Sequence, residues 1–279
     1  MISTGTERLV ATGGVPTNMY QQMKVPYMDG DFDLPVKYGY SLVGQDSEGH
    51  CYHVMHPHQS EVVVDRASAY KLPSDLPPRR AALISNMETV INAIWDSELQ
   101  IDDKVAICGF GNIGSLLAVT LREHYGVHPV IIEKDTWRLQ KATELGFETQ
   151  SSEDFNIAFH TTATAAGLQY CIDTVDLEGK VIELSWYGDK SVSLALGAKF
   201  HYKRLQIISS QVGIIPRKLQ YKYDYKSRKD LAVDYLRSDR YDQLVSQEIA
   251  FEQASSFYHT LRRNECLNGL IFIVGYNQF

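Results

Sequence analysis

The sequence predicts an α/β protein in which a β-rich amino-terminal module precedes a doubly wound parallel sheet. Two observations predict this class. Within residues 102–135, a glycine-rich turn stands between a strand-like run and a helix-like run. Residues 1–86 instead carry short alternating apolar runs broken by Gly, Pro and Asp-Ser, which is typical of a small antiparallel barrel.

The strongest local pattern is GFGNIG (109–114), which follows the strand-like run 104–108 and opens a helix-like run. In this spacing the first glycine suits a tight turn, the second lets a diphosphate approach the backbone, and the third allows close helix-on-strand packing. The diphosphate would meet unpaired N–H groups where the helix begins. The alternative is a glycine turn that belongs to the sheet and binds nothing. The predicted cofactor contacts are Gly109, Gly111, Asn112, Ile113 and Gly114.

An acidic residue follows the next strand-like run, 129–132. Glu133 stands 24 residues after Gly109, where a carboxylate can accept hydrogen bonds from both ribose hydroxyls and would repel a 2′-phosphate. The sequence therefore predicts NAD(H) in preference to NADP(H). Lys134 and Arg138 work against this preference, because either side chain could reach a phosphate if Glu133 turned away.

The alternation of strands and helices continues downstream. Strand-like runs at 155–162, 180–186 and 204–212, with a helix-like run at 165–175, complete a sheet with right-handed crossovers. Ligands bind beyond the carboxyl ends of such strands, so the residues that end them are expected to face the cofactor, although any one of them could equally be an ordinary loop residue. These residues include Thr161, Ser185, Trp186, Ser209 and Gln211.

Composition excludes several classes of function. The net charge of −7 argues against a general attraction to nucleic acid or acidic membranes. One basic stretch with interleaved tyrosines, 216–230, could track a phosphate backbone, but a solvated helix face is the preferred interpretation. No run approaches the roughly 18 apolar residues of a membrane helix, and the first residues lack a signal pattern. We therefore expect a cytoplasmic protein with four reduced cysteines.

Six segments spread over nearly the whole chain carry a family resemblance. They are ISTGTE (2–7), PVKYGYSLVG (35–44), HPHQ (56–59), NMET (86–89), ELSWYGD (183–189) and SSQVG (209–213). In these segments the chain resembles the medium-chain dehydrogenase/reductase superfamily, the zinc-type alcohol dehydrogenase-like proteins.

The resemblance implies a domain organisation and a function class. It implies a GroES-like catalytic domain over 1–86, a Rossmann domain over 87–213, and a return segment, 214–279, that completes the first domain. It also implies an NAD(P)-dependent oxidoreductase with a small-molecule substrate, assembled as a homodimer or higher homo-oligomer.

The chain departs from that family where zinc ligands stand. The positions that match a cysteine, a His-Glu pair and a further ligand are Ser3, Tyr40-Ser41 and Ser85. Neutral hydroxyls are poor zinc ligands, because zinc sites use thiolate, imidazole or carboxylate groups. We therefore expect no catalytic zinc.

A cluster of possible metal ligands nevertheless occurs in the segment 49–59, which contains His50, Cys51, His53, His56 and His58. On a strand, Cys51 and His53 would share a face, and with His56 or His58 they could chelate zinc. The spacing is not a recurring zinc pattern. The preferred interpretation is a strand followed by a His-Pro-His turn, in which His56 or His58 either takes part in acid–base chemistry or is an ordinary loop histidine.

Two functions remain open at this point. The first is a zinc-independent oxidoreductase that transfers hydride between nicotinamide and a carbonyl, alcohol or activated alkene, where charge on the reacting oxygen needs a hydrogen-bond donor. Tyr40 is the first candidate for that donor. Ser3 and Thr4 could assist, His58 could relay a proton, and Glu88 or Thr89 could close the site. The alternative is a redox-sensing or structural NAD(P)(H)-binding protein without turnover.

Overall fold

The computed structural model describes residues 1–152, 154–263, 265 and 267–276. Its strands are β1 (Asp29–Gly30), β2 (Val36–Lys37), β3 (Leu42–Gln45), β4 (Cys51–Val54), β5 (Tyr70–Lys71), β6 (Val105–Cys108), β7 (Val130–Ile132), β8 (Phe155–His160), β9 (Val175–Glu183), β10 (Gln206–Ser209), β11 (Val245–Ala250) and β12 (Ile271–Gly275). Its α-helices are α1 (Thr4–Ala11), α2 (Tyr20–Met23), α3 (Pro78–Ala81), α4 (Ile84–Ser97), α5 (Asn112–Tyr125), α6 (Thr136–Glu144), α7 (Ala165–Thr174), α8 (Lys199–Tyr202), α9 (Tyr225–Tyr235) and α10 (Ala254–Arg262).

The chain forms two compact units. The first comprises Met1–Asn86 and Leu236–Phe279, and the second comprises Met87–Tyr235. The division between them falls inside α4. None of the helices in the described ranges combines the length and the apolar character that crossing a membrane requires.

The second unit contains a parallel five-stranded sheet in the order β10-β9-β8-β6-β7. Every residue of β6 is buried, as expected when helices cover both faces of a parallel sheet. The strand order reverses between β6 and β8, where open α/β sheets bind ligands beyond the carboxyl ends of the strands. The predicted α/β class and its doubly wound sheet are confirmed.

Helix packing explains why these segments become helices. α5 buries Leu116, Leu117 and Leu121 completely, at the apolar positions that the sequence pattern indicated. α7 places Leu168 and Ile172 in a cluster with residues of the central strands. Burying each such side chain stabilises the fold by roughly 1.5–3 kcal/mol.

The second unit includes residues 214–235, which were predicted to belong with the amino-terminal module. The side chain of Arg228 explains why α9 packs with the second unit. It is only 4% exposed. Its Nη1 donates to Asn92 Oδ1 at 2.9 Å and to the Val212 carbonyl at 2.7 Å, and its Nε lies 3.4 Å from Glu88 Oε1. A buried guanidinium needs such partners, so it fixes α9 in this unit. The limits of the functional domains stay a prediction.

The sheets of the first unit, as far as the described residues show them, are small. β3, β4 and β5 form an antiparallel sheet, β1 and β2 form an antiparallel pair, and β11 pairs with β12 in parallel. Ile2 bridges to Phe272 of β12, and both lie in a buried cluster with Ile249 and Leu261. This contact joins the amino-terminal segment to β12, and the role of the carboxyl-terminal segment in completing the first domain stays a prediction.

Candidate functional site

Three glycines shape the turn after β6. Gly109 has φ +104°, and a Cβ there would lie 2.5 Å from Thr161 Oγ1. A Cβ on Gly114 would lie 1.9 Å from the Gly109 carbonyl oxygen, so no larger residue fits without a backbone shift. Thr161 Oγ1 lies 3.0 Å from the Cys108 carbonyl oxygen and 3.2 Å from that of Gly109, to which its hydroxyl can donate. The turn is therefore tight and held from the neighbouring strand.

Gly111 differs from the other two glycines because the space beside it is open. A Cβ there would meet only Arg138 Nη1, at 3.5 Å. α5 begins at the next residue without a side-chain cap, so its first N–H groups point out of the helix. Arg138 Nε is buried and has no hydrogen-bond partner among the described residues. The start of a helix beside a guanidinium makes a place that fits a diphosphate.

Glu133 lies directly beside this turn. Its Oε2 accepts a hydrogen bond from the Phe110 N–H at 2.8 Å. Its Oε1 accepts from the N–H groups of Lys134 and Asp135, at 2.7 and 3.0 Å. Glu133 therefore braces the glycine turn from the end of β7. Its contact with a ribose stays a prediction.

The carboxyl ends of β8 and β9 bring further predicted residues together. Ser185 Oγ accepts from the Ala163 N–H at 3.0 Å, in the segment that follows Thr161. Ser209 ends β10 and pairs in register with Glu183 of β9. The Gln211 carbonyl lies 3.4 Å from Asn92 Nδ2, and Trp186 is half-buried. Their roles as cofactor contacts stay predictions.

In the first unit, a buried carboxylate gathers three donors. The Glu7 side chain is 2% exposed. Its Oε1 accepts from the Ser3 N–H at 2.8 Å, and its Oε2 accepts from His58 Nε2 at 3.0 Å and from the Tyr258 hydroxyl. Burial alone would raise the pKa of Glu7, but His58, Tyr258 and the Ser3 N–H outweigh it, and the pKa lies below its usual value. Glu7 is therefore ionised at neutral pH.

Tyr40 lies next to this group. Burial raises the pKa of Tyr40 to about 12, and the negative charge of Glu7 adds to the rise. Hydrogen bonds with the Ser3 and Thr6 hydroxyls act in the opposite direction and lower the pKa. The Tyr38 ring lies 6.1 Å from that of Tyr40, edge to face. A phenol with this pKa keeps its proton at neutral pH, so Tyr40 can act as a hydrogen-bond donor.

The remaining predicted catalytic residues lie elsewhere. Thr4 is the first residue of α1 and is half-buried. Glu88 and Thr89 belong to the second unit, where Glu88 lies 3.4 Å from Arg228 Nε and 3.8 Å from Lys229 Nζ. Burial raises the pKa of Glu88, and the two cations offset this only in part. Their roles in closing a site stay predictions.

The residues at the zinc-ligand positions are engaged in other bonds. Ser41 Oγ donates to the Ala82 carbonyl at 2.7 Å, and Ser85 Oγ donates to the Tyr40 carbonyl at 2.8 Å. Both oxygens also face His53 Nε2, at 3.1 and 3.3 Å. This set offers neutral hydroxyls and one imidazole, so its chemistry does not fit a tetrahedral zinc site.

The histidines of segment 49–59 separate in the structure. His50 lies 3.3 Å from Asp46, His53 faces the serines, and His58 bonds to Glu7. His56 Nδ1 lies 2.9 Å from the Pro57 carbonyl oxygen. Within the described ranges, the group of three or more metal-ligating side chains with converging ligand atoms is Asp46, Glu48 and His50. Only His50 of the segment takes part in it.

Two residues of the Glu7 group were missed from the sequence. Glu7 lies within ISTGTE, which was quoted only for its resemblance, although a buried carboxylate so near Ser3 could have been considered. Tyr258 lies 251 positions from Glu7, and nothing in its local sequence indicates the contact.

In fold, the chain is an α/β protein of the alcohol dehydrogenase type, with a Rossmann-like parallel sheet and small further sheets. Residues 105–160 match the model of the TrkA-N domain family, and this stretch runs from β6 to the end of β8. Among curated proteins, the (R,R)-butanediol dehydrogenase of Bacillus subtilis (strain 168) is 27% identical over 139 residues. That match covers 44% of this chain, which spans only 40% of the length of the relative.

Solved structures give the same fold over most of the chain. The 2R,3R-butanediol dehydrogenase of Bacillus subtilis is 21% identical with a TM-score of 0.61, covering 77% of this chain and 62% of that one. The alcohol dehydrogenase rspB of E. coli CFT073, complexed with NADH, is 14% identical with a TM-score of 0.62, covering 76% and 64%. S. aureus TarJ in complex with NADPH is 16% identical with a TM-score of 0.61, covering 82% and 75%.

Proposed function

We propose that this protein is a zinc-independent NAD(P)-dependent oxidoreductase acting on a small carbonyl, alcohol or activated alkene. The observation that carries the proposal is the turn after β6. It is closed by the approach of Gly114 to Gly109, yet open at Gly111 beside the guanidinium of Arg138. A tight turn with one open, cationic face is what a dinucleotide needs at its diphosphate.

The comparisons support the same class. The curated relative is described as a dehydrogenase, and two of the similar structures are complexes with NADH and NADPH. The bound cofactor would supply the hydride chemistry, so the chain has to bind it, orient it and manage charge on the substrate oxygen.

The first unit offers groups for that charge. The Tyr40 hydroxyl is protonated at neutral pH and would donate a hydrogen bond to an oxygen that gains negative charge. Glu7 holds the His58 ring through Nε2, and this oriented imidazole is the candidate for relaying a proton to or from the reacting group. Ser3 supports both, because its N–H bonds to Glu7 and its hydroxyl to Tyr40. The proposed mechanism uses no zinc, because the donor set at Ser41 and Ser85 consists of neutral hydroxyls, which are poor zinc ligands.

That donor set also favours a second candidate, an NAD(P)(H)-binding protein without turnover. A cofactor domain paired with a module that lacks its metal ligands would still bind the nucleotide and sense its redox state. A homo-oligomeric state, which the family resemblance implies, and a cytoplasmic location, which the sequence composition predicts, belong to either version of the proposal.

The experiment that tests the proposal combines binding, turnover and metal analysis. NADH and NADPH fluorescence titrations establish binding, and a screen over quinones, aldehydes and enones follows oxidation of the bound cofactor. We expect turnover by protein that holds no stoichiometric zinc and is insensitive to a chelator. Binding without oxidation would favour the non-catalytic candidate, and one zinc per chain would contradict the metal-free mechanism.

The preference between the two cofactors is tested at Glu133. In Glu133→Ser, we expect the ratio of NADPH affinity to NADH affinity to rise by about tenfold, because a carboxylate that repels a 2′-phosphate is removed. The affinities are measured by fluorescence titration of each cofactor.

The control for this substitution is Glu133→Gln. Its amide oxygen can still accept from the Phe110 N–H, while its NH2 group cannot accept from the Lys134 and Asp135 N–H groups, so this variant removes the charge and keeps part of the brace of the glycine turn. If the affinity ratio stays at the wild-type value in both variants, Glu133 does not contact the ribose.

A further inference from the structure

A buried imidazole–carboxylate pair lies at the carboxyl ends of β8 and β9. His160 and Glu183 are partners in the strand register, and His160 Nδ1 lies 2.7 Å from Glu183 Oε2. The His160 side chain has no exposed surface and that of Glu183 is 12% exposed. Placing these groups at the end of two strands costs free energy that apolar residues would not cost. The pair is therefore a candidate for a role beyond packing.

The pair continues into a chain of hydrogen bonds. A carboxylate only accepts, so the His160 Nδ1–H donates to Glu183, and His160 Nε2 lies 2.6 Å from Thr162 Oγ1. Thr162 Oγ1 in turn lies 2.8 Å from Thr164 Oγ1, which accepts from the Gly167 N–H at 3.1 Å. The chain connects the end of β9 to the first turn of α7.

Glu183 also holds the segment that follows it. Its Oε1 accepts from the Ser185 N–H at 2.7 Å, and its Oε2 accepts from the Tyr187 hydroxyl at 3.0 Å. Ser185 Oγ in turn accepts from the Ala163 N–H at 3.0 Å. One carboxylate therefore sets the shape of residues 185–187 and ties them to the loop after β8.

The position of this segment indicates what it serves. A dinucleotide lies across the point where the strand order reverses, here between β6 and β8. The adenosine half belongs on the side of β7 and Glu133, so the nicotinamide half belongs on the side of β8 and β9. We propose that Glu183, together with His160, is a positioning residue that holds residues 185–187 in the shape that receives the nicotinamide. This inference rests on the proposed function.

Glu183 acts through its neighbours in this arrangement. Its two oxygens already accept from His160, Ser185 and Tyr187, so few lone pairs remain for a ligand. A glutamine in its place has only one carbonyl oxygen and presents an NH2 group to donors. At least one of the three donors then loses its acceptor, and the segment loosens.

The experiment compares a ligand that has a nicotinamide with one that lacks it. Glu183→Gln is titrated with NADH, followed through its nicotinamide fluorescence, and with ADP-ribose, followed by calorimetry. We expect the affinity for NADH to fall by about tenfold and the affinity for ADP-ribose to stay within about twofold of the wild-type value.

The matched control is Glu178→Gln on the same strand. Glu178 is exposed and pairs with Arg204 at 2.9 Å, away from the His160 chain, so both affinities should match those of the wild type. If Glu183→Gln does not fold, Tyr187→Phe removes a single hydroxyl and gives the same comparison, with a smaller loss confined to NADH.

The outcomes separate this inference from the proposed function. Equal losses for NADH and ADP-ribose, or no loss for either, would overturn the positioning role, and so would an unchanged ratio in Tyr187→Phe. Failure of the wild-type protein to bind ADP-ribose would instead overturn the nucleotide site itself, and the inference with it.

Discussion

A Gly111→Asp variant is expected to lose at least about 100-fold in NADH affinity while it keeps its fold. A Cβ at this position meets only Arg138 Nη1, at 3.5 Å, so the backbone need not move. The new carboxylate would stand where the diphosphate binds, and two like charges about 4 Å apart repel by about 4 kcal/mol at a partly buried site. Roughly 3 kcal/mol already corresponds to a 100-fold change in affinity. Fluorescence titration measures the loss, and thermal unfolding verifies the fold.

Two other glycines provide controls for this variant. Gly197 lies in open space, so Gly197→Asp adds the same charge to the second unit and should leave NADH binding unchanged. Gly114→Ala should instead destabilise the protein, because its Cβ would lie 1.9 Å from the Gly109 carbonyl oxygen. Wild-type affinity in Gly111→Asp would show that the diphosphate does not bind at this turn.

A Tyr40→Phe variant is expected to lower kcat by about 100-fold with little change in NADH affinity. The substitution removes only the phenol hydroxyl, which is the protonated donor proposed for the charge on the reacting oxygen. Loss of one such donor costs about 10²–10³ in kcat in enzymes that stabilise an oxyanion. Steady-state kinetics with the best substrate of the screen measures kcat, and a cofactor titration measures binding separately.

The control for Tyr40 is Tyr52→Phe. The Tyr52 hydroxyl also bonds to a polar side chain, Asp46 at 3.2 Å, but this contact is exposed. Its loss should leave kcat within about twofold, because exposed polar contacts contribute little. A wild-type kcat in Tyr40→Phe would show that Tyr40 takes no part in the chemistry, and His58 would then be the next candidate.

The shape of the glycine turn was predictable because its determinants are local. The strand, the three glycines, the helix and Glu133 occur in one continuous stretch, 104–133, and short-range geometry decides what each glycine does. The structure has the strand, the glycine turn and the helix in this order, and it adds that Glu133 bonds to the Phe110 N–H. That bond joins the ends of two neighbouring strands, and a linear pattern does not reveal it.

The surroundings of Tyr40 were predictable only in part. Ser3, Tyr40 and His58 could be selected as hydroxyl and imidazole groups in suggestive segments, but the residue that connects them is Glu7. Its contact with Tyr258 depends on how the two ends of the chain pack, and long-range packing leaves no periodic signal in the sequence.

In the histidine-rich segment 49–59, residues that are close along the chain suggested a cluster in space that the structure does not contain among these histidines. His53 lies on β4 and points inward to the serines, whereas His56 and His58 follow the strand and turn to different partners. The alternation of a strand separates neighbours onto opposite faces, so a dense cluster in the sequence need not be a cluster in the fold.

The buried Arg228 sets the smallest piece of the second unit that can be isolated with its buried polar groups still paired. A fragment that stopped at residue 213 would keep Glu88 and Asn92 but lose the guanidinium that neutralises and hydrogen-bonds them. Glu88 and Asn92 would then lose the partners that satisfy them in the intact unit, and the surface that α9 covers would be exposed. Anyone who isolates this half, or grafts it onto another scaffold, should therefore carry the sequence through α9 to Tyr235.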